Sequence, residues 1–305
     1  MKFAKKLSAA MPRKFSLKKY LHESMVGFDP PRSVKRIHAS AVTKELEFCP
    51  RAHALIDITG NEDKSEFIGT SMQYTFGIGR ALEKMLREDW AGAIAYGDWE
   101  CHSCGTPHYM QFRPVACKYC HAGGKGFRYV EPRFTSAISG LSGGIDLMVR
   151  LPGYKKATLI EVKTMKEDEW KALSAPLSEH RLRTNLYLRL VDESDGDLKN
   201  YVMTDRAIII YLVKGFGAKD PKLKDLGVKE LFSPFKEFII ERDDSKTDHL
   251  TDKGVQWLTW KNTGTPPDRI CDSPDCARAS KCPVKKPCFS APKSLWTDHY
   301  ENNGH

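Results

Sequence analysis

The sequence has no hydrophobic run long enough to cross a membrane. Its longest apolar stretch is 207–213, whereas a spanning helix needs about 20 residues. No apolar segment of about 7–15 residues follows the first lysines, so a secretory signal is not expected. Hydrophobic residues make up 41% and charged residues 29% of the 305 residues, a mix typical of globular proteins. Integral membrane, collagen-like and wholly disordered proteins are therefore excluded.

Acidic residues are scarce near the amino terminus. Residues 1–40 hold ten Lys and Arg but only two acids, Glu23 and Asp29, so this segment carries +8 of the chain's formal charge of +9. The pattern predicts a basic arm over 1–35, which can bind a polyanion through counterion release. Two alternatives stay open. The first is a solvated tail, and the second is an organellar transit peptide, which is also basic and acid-poor.

The nine cysteines lack the pattern of a disulfide framework, because their number is odd and no secretory signal is expected. Cys49 stands alone. The central group is Cys101, Cys104, Cys117 and Cys120, and the C-terminal group is Cys271, Cys276, Cys282 and Cys288. This grouping predicts metal ligation in a reducing compartment, the cytoplasm.

The central cysteines form two Cys-x2-Cys pairs separated by twelve residues. Each pair presents two thiolates from one turn, and two facing pairs supply the four sulfurs of a tetrahedral zinc site. A zinc ribbon with Cys101, Cys104, Cys117 and Cys120 as ligands is therefore predicted as an insertion over 99–128. Its role is open between a structural staple and a nucleic-acid contact surface. The contact residues of such a surface would be Lys118, Tyr119, His121, Lys125 and Arg128.

The C-terminal cysteines lack any Cys-x2-Cys pair, since their gaps are four, five and five residues. Zinc, a redox role and a structural role are all compatible with this spacing. Pro274, Pro283 and Pro287 interrupt any helix and favour a loop wrapped around a cluster.

Residues 139–165 predict a β-hairpin with strands over 145–151 and 157–164 and a Pro-Gly turn between them. Side chains two apart share a face of a strand, so Glu161 and Lys163 project together, with Asp146 on the neighbouring strand.

Two carboxylates and an ammonium crowded at one place are expected to need a divalent cation as counter-charge. Asp146 and Glu161 offer the hard oxygen ligands that suit Mg²⁺ or Mn²⁺, and the Val162 carbonyl is a further candidate ligand. Lys163 is a candidate to orient the attacking water.

Gly-Gly-Ile-Asp ending at Asp146 and Ile-Glu-Val-Lys ending at Lys163 resemble the Asp…Glu-x-Lys core of the PD-(D/E)XK nuclease superfamily, RecB-like branch. The segment 179–190 resembles the Gln-x3-Tyr helix of that branch, with Tyr187 at the Tyr position. Arg183 stands where the family places Gln, which is a departure. The resemblance implies catalysis by Asp146, Glu161 and Lys163, with Arg183 and Tyr187 positioning the DNA strand.

The segment 76–88 resembles the Gly-x3-His helix of the same branch, with Gly79 aligned and Glu83 where His is commonest. The resemblance implies that Glu83 is a further ligand of the Mg²⁺ or Mn²⁺ ion. In the alternative interpretation, Glu83 only pairs with Arg80 or Arg87 on a solvated helix face.

The opening Ser-Ala-Val-Thr at 40–43 and Phe-Cys-Pro-Arg at 48–51 resemble the iron–sulfur RecB-like nucleases, such as CRISPR-associated exonucleases of the Cas-four type and the AddB nuclease domain. These bind a 4Fe–4S cluster through one N-terminal and three C-terminal cysteines, which follow a Gly-x-Pro-Pro segment, here 264–267. The resemblance implies that the cluster clamps the two ends together.

Its implied ligands are four of Cys49, Cys271, Cys276, Cys282 and Cys288. Cys282 is kept as one of the four ligands, and the choice between Cys271 and Cys276 is open. The alternative is a zinc ion in place of the cluster.

The resemblance covers about 36–290 and implies an α/β fold, a RecB-like restriction-endonuclease-type mixed sheet flanked by helices, with an inserted zinc ribbon and iron–sulfur-clamped termini. The predicted parts are the arm 1–35, a helical part 36–98, the ribbon 99–128, a nuclease core 129–262 and an iron–sulfur segment 263–305. Helices are predicted near 34–58, 66–90, 167–174, 178–192 and 246–262, and strands near 133–139, 144–151, 157–164, 206–214 and 235–242.

The predicted function is that of a metal-dependent DNA nuclease, an exonuclease on single-stranded or frayed ends in recombination, repair or CRISPR spacer processing. Its expected partners are DNA and a helicase, recombinase or integrase, and no membrane is expected. The rival is a non-catalytic nucleic-acid-binding module, in which Asp146, Glu161 and Lys163 form a structural ion-pair cluster.

Overall fold

The structure, a computed structural model, describes residues 16–25, 27–29, 35–43, 48–60, 66–229, 231–292 and 294–296. Most of the predicted basic arm and the end of the predicted iron–sulfur segment lie outside the described residues. Within them the chain is mixed α/β.

The strands are β1 (Gly27–Asp29), β2 (Ile37–His38), β3 (Glu66–Ile68), β4 (Tyr96–Cys101), β5 (Pro107–Phe112), β6 (Phe127–Val130), β7 (Arg133–Thr135), β8 (Leu141–Gly144), β9 (Leu147–Val149), β10 (Ala157–Met165), β11 (Val202–Val213), β12 (Ala218–Lys219), β13 (Phe232–Ser233) and β14 (Phe235–Glu241). The helices are α1 (Leu17–Met25), α2 (Ala39–Thr43), α3 (Pro50–Thr59), α4 (Thr70–Lys84), α5 (Glu167–Ala172), α6 (Ser178–Asp192), α7 (Leu198–Tyr201), α8 (Lys222–Asp225), α9 (Asp248–Thr263), α10 (Ala277–Ser280) and α11 (Lys285–Ser290). A π-helix, Met85–Trp90, continues α4, and 3₁₀-helices occupy Gly124–Gly126 and Asp244–Lys246.

A four-stranded mixed sheet in the order β14-β11-β10-β9 forms the centre of the molecule. Strands β10 and β11 are parallel, whereas β9 and β14 run antiparallel to their neighbours. Parallel neighbours need a long crossover, which here contains α5 and α6. The sequence predicted β10 and α6 closely, and the antiparallel pairing of β9 with β10 confirms the hairpin.

The single helix predicted over 34–58 is wrong. Its first residues form β2, which pairs in parallel with β8, Ile37 opposite Leu141; α2 and α3 follow as separate helices. Both paired residues are fully buried in the main hydrophobic core. The strand arises because residues about 100 positions apart pair and bury each other, and local periodicity carries no trace of that contact.

The strand predicted over 144–151 is also wrong as one element, because it is interrupted between β8 and β9. Asp146 lies in the break, where its carboxylate oxygen Oδ2 accepts a hydrogen bond of 2.8 Å from the backbone N–H of Val162. At this point the Asp146 carboxylate, and not a backbone carbonyl of the neighbouring strand, accepts the hydrogen bond from β10. This contact holds Asp146 beside β10. Similarly, the helix predicted over 66–90 begins as β3 and becomes helical at Thr70.

The ribbon is a three-stranded antiparallel sheet in the order β5-β4-β6. Its buried side chains Trp99 and Phe127 belong to the same hydrophobic cluster as Ile160 and Val162 of β10. The predicted insertion therefore packs against the face of β10 opposite to Glu161 and Lys163.

Helix α3 contacts segments near the end of the described chain. The Arg51 guanidinium of α3 donates a hydrogen bond of 2.9 Å to the Pro267 carbonyl and lies 4.7 Å from the ring centre of Trp296. Asp57 of α3 also pairs with Lys261 of α9. In the part of the chain that the structure describes, no helix combines the length and apolar character that a membrane crossing requires.

Candidate active site and metal centres

An open cavity of about 380 Å³ lies at the carboxylates that the sequence singled out. Its walls carry acidic, basic and small side chains: His38, Ser40, Glu131, Arg133, Ser142, Gly143, Gly144, Asp146, Glu161, Lys163, Arg183 and Tyr187. The structure thus gathers Asp146, Glu161, Lys163, Arg183 and Tyr187 around one space, although they come from a strand break, one strand and one helix.

Glu161 is the most buried acid of the site, with only 2% of its side chain exposed. Its Oε1 lies 2.6 Å from the Lys163 ammonium and 3.1 Å from Nε of Arg183. Its second oxygen, Oε2, has no hydrogen-bond partner in the part of the chain described. Burial raises the pKa of Glu161, and the nearby Asp146 carboxylate raises it further.

Lys163 connects the two predicted acids. Its ammonium lies 3.7 Å from Oδ2 of Asp146 and donates a hydrogen bond of 2.9 Å to the Val162 carbonyl. That carbonyl, a predicted metal ligand, therefore accepts a hydrogen bond from the lysine. The predicted common face of Glu161 and Lys163 is confirmed by their direct ion pair.

Arg87 and Glu131 belong to the site, although neither was predicted as a site residue. Arg87 lies on the π-helix, and its guanidinium is 2.9 Å from Glu131, 3.5 Å from Glu83 and 3.8 Å from Asp146. In the alternative interpretation, Glu83 pairs with Arg80 or Arg87, and the pair with Arg87 is present. Glu83 lies close enough to Asp146, a predicted metal ligand, for that carboxylate to affect it. Burial and the Asp146 carboxylate both raise the pKa of Glu83.

These acids do not need a divalent cation as counter-charge, so that expectation is wrong. Arg87 lies among Glu83, Glu131 and Asp146, and Arg183 and Lys163 flank Glu161. The protein's own cations therefore supply counter-charge. Among the described residues, these carboxylates do not form a trio of metal-ligating atoms within 4.8 Å of one another.

Arg183 and Tyr187 lie on successive turns of α6. Arg183 reaches Glu161, while the Tyr187 ring packs edge-on against Phe134 at 5.3 Å between centres. Burial raises the pKa of the Tyr187 hydroxyl, which therefore stays protonated. One turn earlier, His180 lies 2.9 Å from the Tyr211 hydroxyl; burial and the nearby Lys163 lower its pKa to about 4, so the ring is neutral near pH 7.

The four central cysteines form a group that could hold a metal ion, because their sulfur atoms all lie within 4.8 Å of one another. The pairs between the two turns are Cys101 with Cys120 at 3.6 Å and Cys104 with Cys117 at 3.7 Å. A tetrahedral ion with bonds of about 2.3 Å to sulfur places its ligands about 3.8 Å apart. The four thiols are therefore arranged for a single tetrahedral ion.

The two turns share one backbone geometry. The N–H of Gly105 donates to the Cys101 carbonyl at 2.8 Å, and the N–H of His121 donates to the Cys117 carbonyl at 2.9 Å. These two donors, each the residue after the second cysteine of its pair, have left-handed φ values, +70° for Gly105 and +58° for His121. This conformation is easy for Gly and costs more for His, so the second turn is held in place by the rest of the ribbon.

Four of the five terminal cysteines line one narrow cavity: Cys49, Cys271, Cys282 and Cys288. Arg269, Arg278 and Lys285 line it as well. Cys276 is not in the lining; its sulfur accepts a hydrogen bond of 3.3 Å from the Ala279 N–H at the start of α10. Of the two cysteines between which the sequence could not choose, Cys271 lines the cavity and Cys276 does not. Spacing alone could not show this.

No protein-family model matches the chain, and no curated protein matches it either.

Proposed function

We propose that the chain is a metal-dependent DNA nuclease of the RecB-like type that acts on single-stranded or frayed ends. The observation that carries the proposal is the unpartnered Oε2 of buried Glu161 at the cavity shared by Asp146 and Lys163. A buried carboxylate oxygen without a partner costs free energy. A divalent cation on that oxygen and on Asp146 would remove the cost, with Glu83 as a third oxygen donor.

The reaction adds water to phosphorus and breaks one P–O ester bond, which leaves a phosphomonoester and a hydroxyl. Mg²⁺ or Mn²⁺ held by Glu83, Asp146, Glu161 and the Val162 carbonyl would supply a Lewis acid that polarises the phosphate. Lys163, held between Glu161 and Asp146, donates a hydrogen bond to the attacking water. Arg183 contacts the phosphate, and the protonated Tyr187 hydroxyl donates to the strand.

The fold supports this proposal. The Glu-x-Lys residues lie on an inner strand, β10, with a parallel neighbour on one side and the Asp146 segment on the other. The helix that carries Arg183 and Tyr187 lies in the crossover between the parallel strands. The RecB-like resemblance implies a mixed sheet flanked by helices, and the mixed sheet agrees with that expectation.

The ribbon's ion is proposed to be zinc, because four thiolates at tetrahedral spacing are its usual structural site. For the terminal cavity we propose a 4Fe–4S cluster on Cys49, Cys271, Cys282 and Cys288, since four thiolates are its expected ligands. Each of these four thiolates would hold one iron of the cluster, and the cationic Arg269, Arg278 and Lys285 in the same lining suit an anionic group. Both centres require thiolates kept reduced, as in the cytoplasm.

The cluster assignment predicts different results for two neighbouring thiols. In anaerobically purified protein, we expect Cys271→Ser to lose the visible iron–sulfur absorption and most of the iron, because it removes a ligand. Cys276→Ser should keep both, since its sulfur caps α10 and does not line the cavity. Absorption spectra and iron and zinc content per chain measure this. Equal loss in the two variants contradicts the ligand set, and a colourless wild type holding two zinc ions contradicts the cluster.

The rival, a non-catalytic nucleic-acid-binding module, is favoured by one observation. Arg87, Lys163 and Arg183 already neutralise the buried acids, as expected of a structural ion-pair network.

Cleavage and binding assays on the wild type separate the two proposals. Labelled single-stranded, forked and blunt duplex DNA are incubated with Mg²⁺, Mn²⁺, Ca²⁺ or EDTA, and binding is measured in parallel. We expect product only with Mg²⁺ or Mn²⁺, and more from unpaired ends than from blunt duplex. Binding that persists in EDTA with no product under any metal would contradict the nuclease and support the binding module.

A further inference from the structure

One face of α4 leads from the candidate active site to an exposed aromatic side chain. At 100° per residue, Phe76 and Met72 both fall within about 20° of Glu83 around the helix axis. Glu83 is the residue by which α4 reaches the site. Phe76 lies about 10 Å from it along the axis, and Met72 about 16 Å. Phe76 is 43% exposed and Met72 is 50% exposed.

Gly79, in the turn between Phe76 and Glu83, fixes how α4 lies on the sheet. A Cβ atom at Gly79 would stand 3.2 Å from the Thr164 hydroxyl of β10 and 3.9 Å from the Lys214 ammonium. The helix is therefore seated directly along the strand that carries Glu161 and Lys163. The exposed side chains before Gly79 continue the line of the site rather than pointing to an unrelated surface.

Cations accompany this face. Lys214 lies beside α4 and donates a hydrogen bond of 3.3 Å to the Thr75 carbonyl. Arg80, one turn after Phe76, is exposed. No acid of α4 precedes Glu83. An aromatic ring beside a path of cations is the combination that binds single-stranded nucleic acid, the ring by stacking on a base and the cations by contacting phosphates.

We propose that the Phe76 face of α4, with Met72, Arg80 and Lys214, is a stacking platform for an unpaired nucleotide of the strand entering the active site. The proposal deepens the proposed nuclease function and rests on it for the direction of the strand. Phe76 lies about 10 Å along α4 from Glu83, which is the length of about three stacked nucleotides at 3.4 Å each and of fewer in an extended strand. Only an unpaired base exposes its flat face, so the platform selects single-stranded ends over blunt duplex.

The test uses α4 itself as its control. Tyr74 is more exposed than Phe76, at 63%, but lies about 180° from Glu83 around the helix. Binding of a fluorescent single-stranded 12-mer and of a blunt duplex is measured by anisotropy without added divalent metal. We expect Phe76→Ala to weaken 12-mer binding by about 5- to 100-fold, and Phe76→Trp to preserve it. Tyr74→Ala should change 12-mer binding less than twofold, and no variant should change duplex binding.

The outcomes separate this proposal from the nuclease. If Phe76→Ala and Tyr74→Ala bind the 12-mer equally, with melting temperatures like that of the wild type, the platform is wrong even where the wild type cleaves DNA. If Phe76→Ala selectively loses 12-mer binding while the wild type cleaves nothing under any metal, the platform stands and the nuclease falls. Should Phe76→Ala misfold, the Trp variant decides: a folded Phe76→Trp that binds the 12-mer about fivefold or more weakly than the wild type overturns stacking.

Discussion

Replacing Asp146 by Asn is expected to lower metal-dependent cleavage by about 10³-fold. The substitution removes the negative charge that would bind the divalent cation, and losses of this size follow when one electrostatic group is removed from a reaction centre. The amide oxygen of Asn still accepts a hydrogen bond, so the contact with the Val162 N–H that positions this segment is retained. Cleavage of a labelled single strand over a Mg²⁺ titration measures the effect.

The matched control is Asp225→Asn, an exposed acid on α8 outside the cavity lining, which should leave cleavage unchanged. Unchanged melting temperature and far-ultraviolet circular dichroism of the Asp146 variant would show that the fold is intact. Cleavage at the wild-type level in an intact Asp146→Asn variant would refute the assignment of Asp146. Removing Lys163 is a less clean test, because the buried Glu161 would then keep only Arg183 as a partner and the protein would lose stability.

The sequence predicted the parts of the fold that local patterns determine. Helix α6 was predicted at its observed bounds because leucines at 182, 186 and 190 recur every four residues along one face. The two Cys-x2-Cys pairs predicted the ribbon because each pair closes on itself through one turn. The common face of Glu161 and Lys163 followed from strand alternation.

The missed parts depend on contacts between distant segments. Strand β2 exists only because Ile37 pairs with Leu141. Glu131 of the site pairs with Arg87, more than 40 residues earlier. Arg87 left one local signal: it follows Glu83 by four residues, a spacing at which side chains on a helix meet. That signal predicted a pair but not the burial that places the pair beside Asp146, and so the neutralising role of Arg87 was missed.

Removing two thiols of the ribbon's candidate metal site is expected to destabilise more than the ribbon. In the double variant Cys104→Ser, Cys120→Ser, each turn loses its exposed thiol while buried Cys101 and Cys117 remain. A structural metal ion contributes directly to folding, so we expect one metal ion fewer per chain and a melting temperature lower by about 10 °C. Metal analysis and thermal melting measure both. Tyr119→Ala, which changes an exposed side chain of the second turn and keeps four thiols, should change neither.

The effect should extend to the proposed cleavage, because the ribbon and β10 share one core. Cys101 and Cys117 pack in the same hydrophobic cluster as Ile160 and Val162, the residues that alternate with Glu161 and Lys163 along β10. The Tyr129 hydroxyl of β6 accepts a hydrogen bond of 3.0 Å from the Met148 N–H of β9.

A second contact holds the ribbon to the core. The Arg150 guanidinium lies 3.8 Å from the ring centre of Tyr96 and 4.5 Å from that of Phe112. At a temperature where the double variant is still folded, its cleavage is therefore expected to fall by about tenfold or more, since small displacements of supporting residues reduce rates to this extent. If the variant loses the metal ion and melts earlier but cleaves like the Tyr119→Ala control, the ribbon does not position β10.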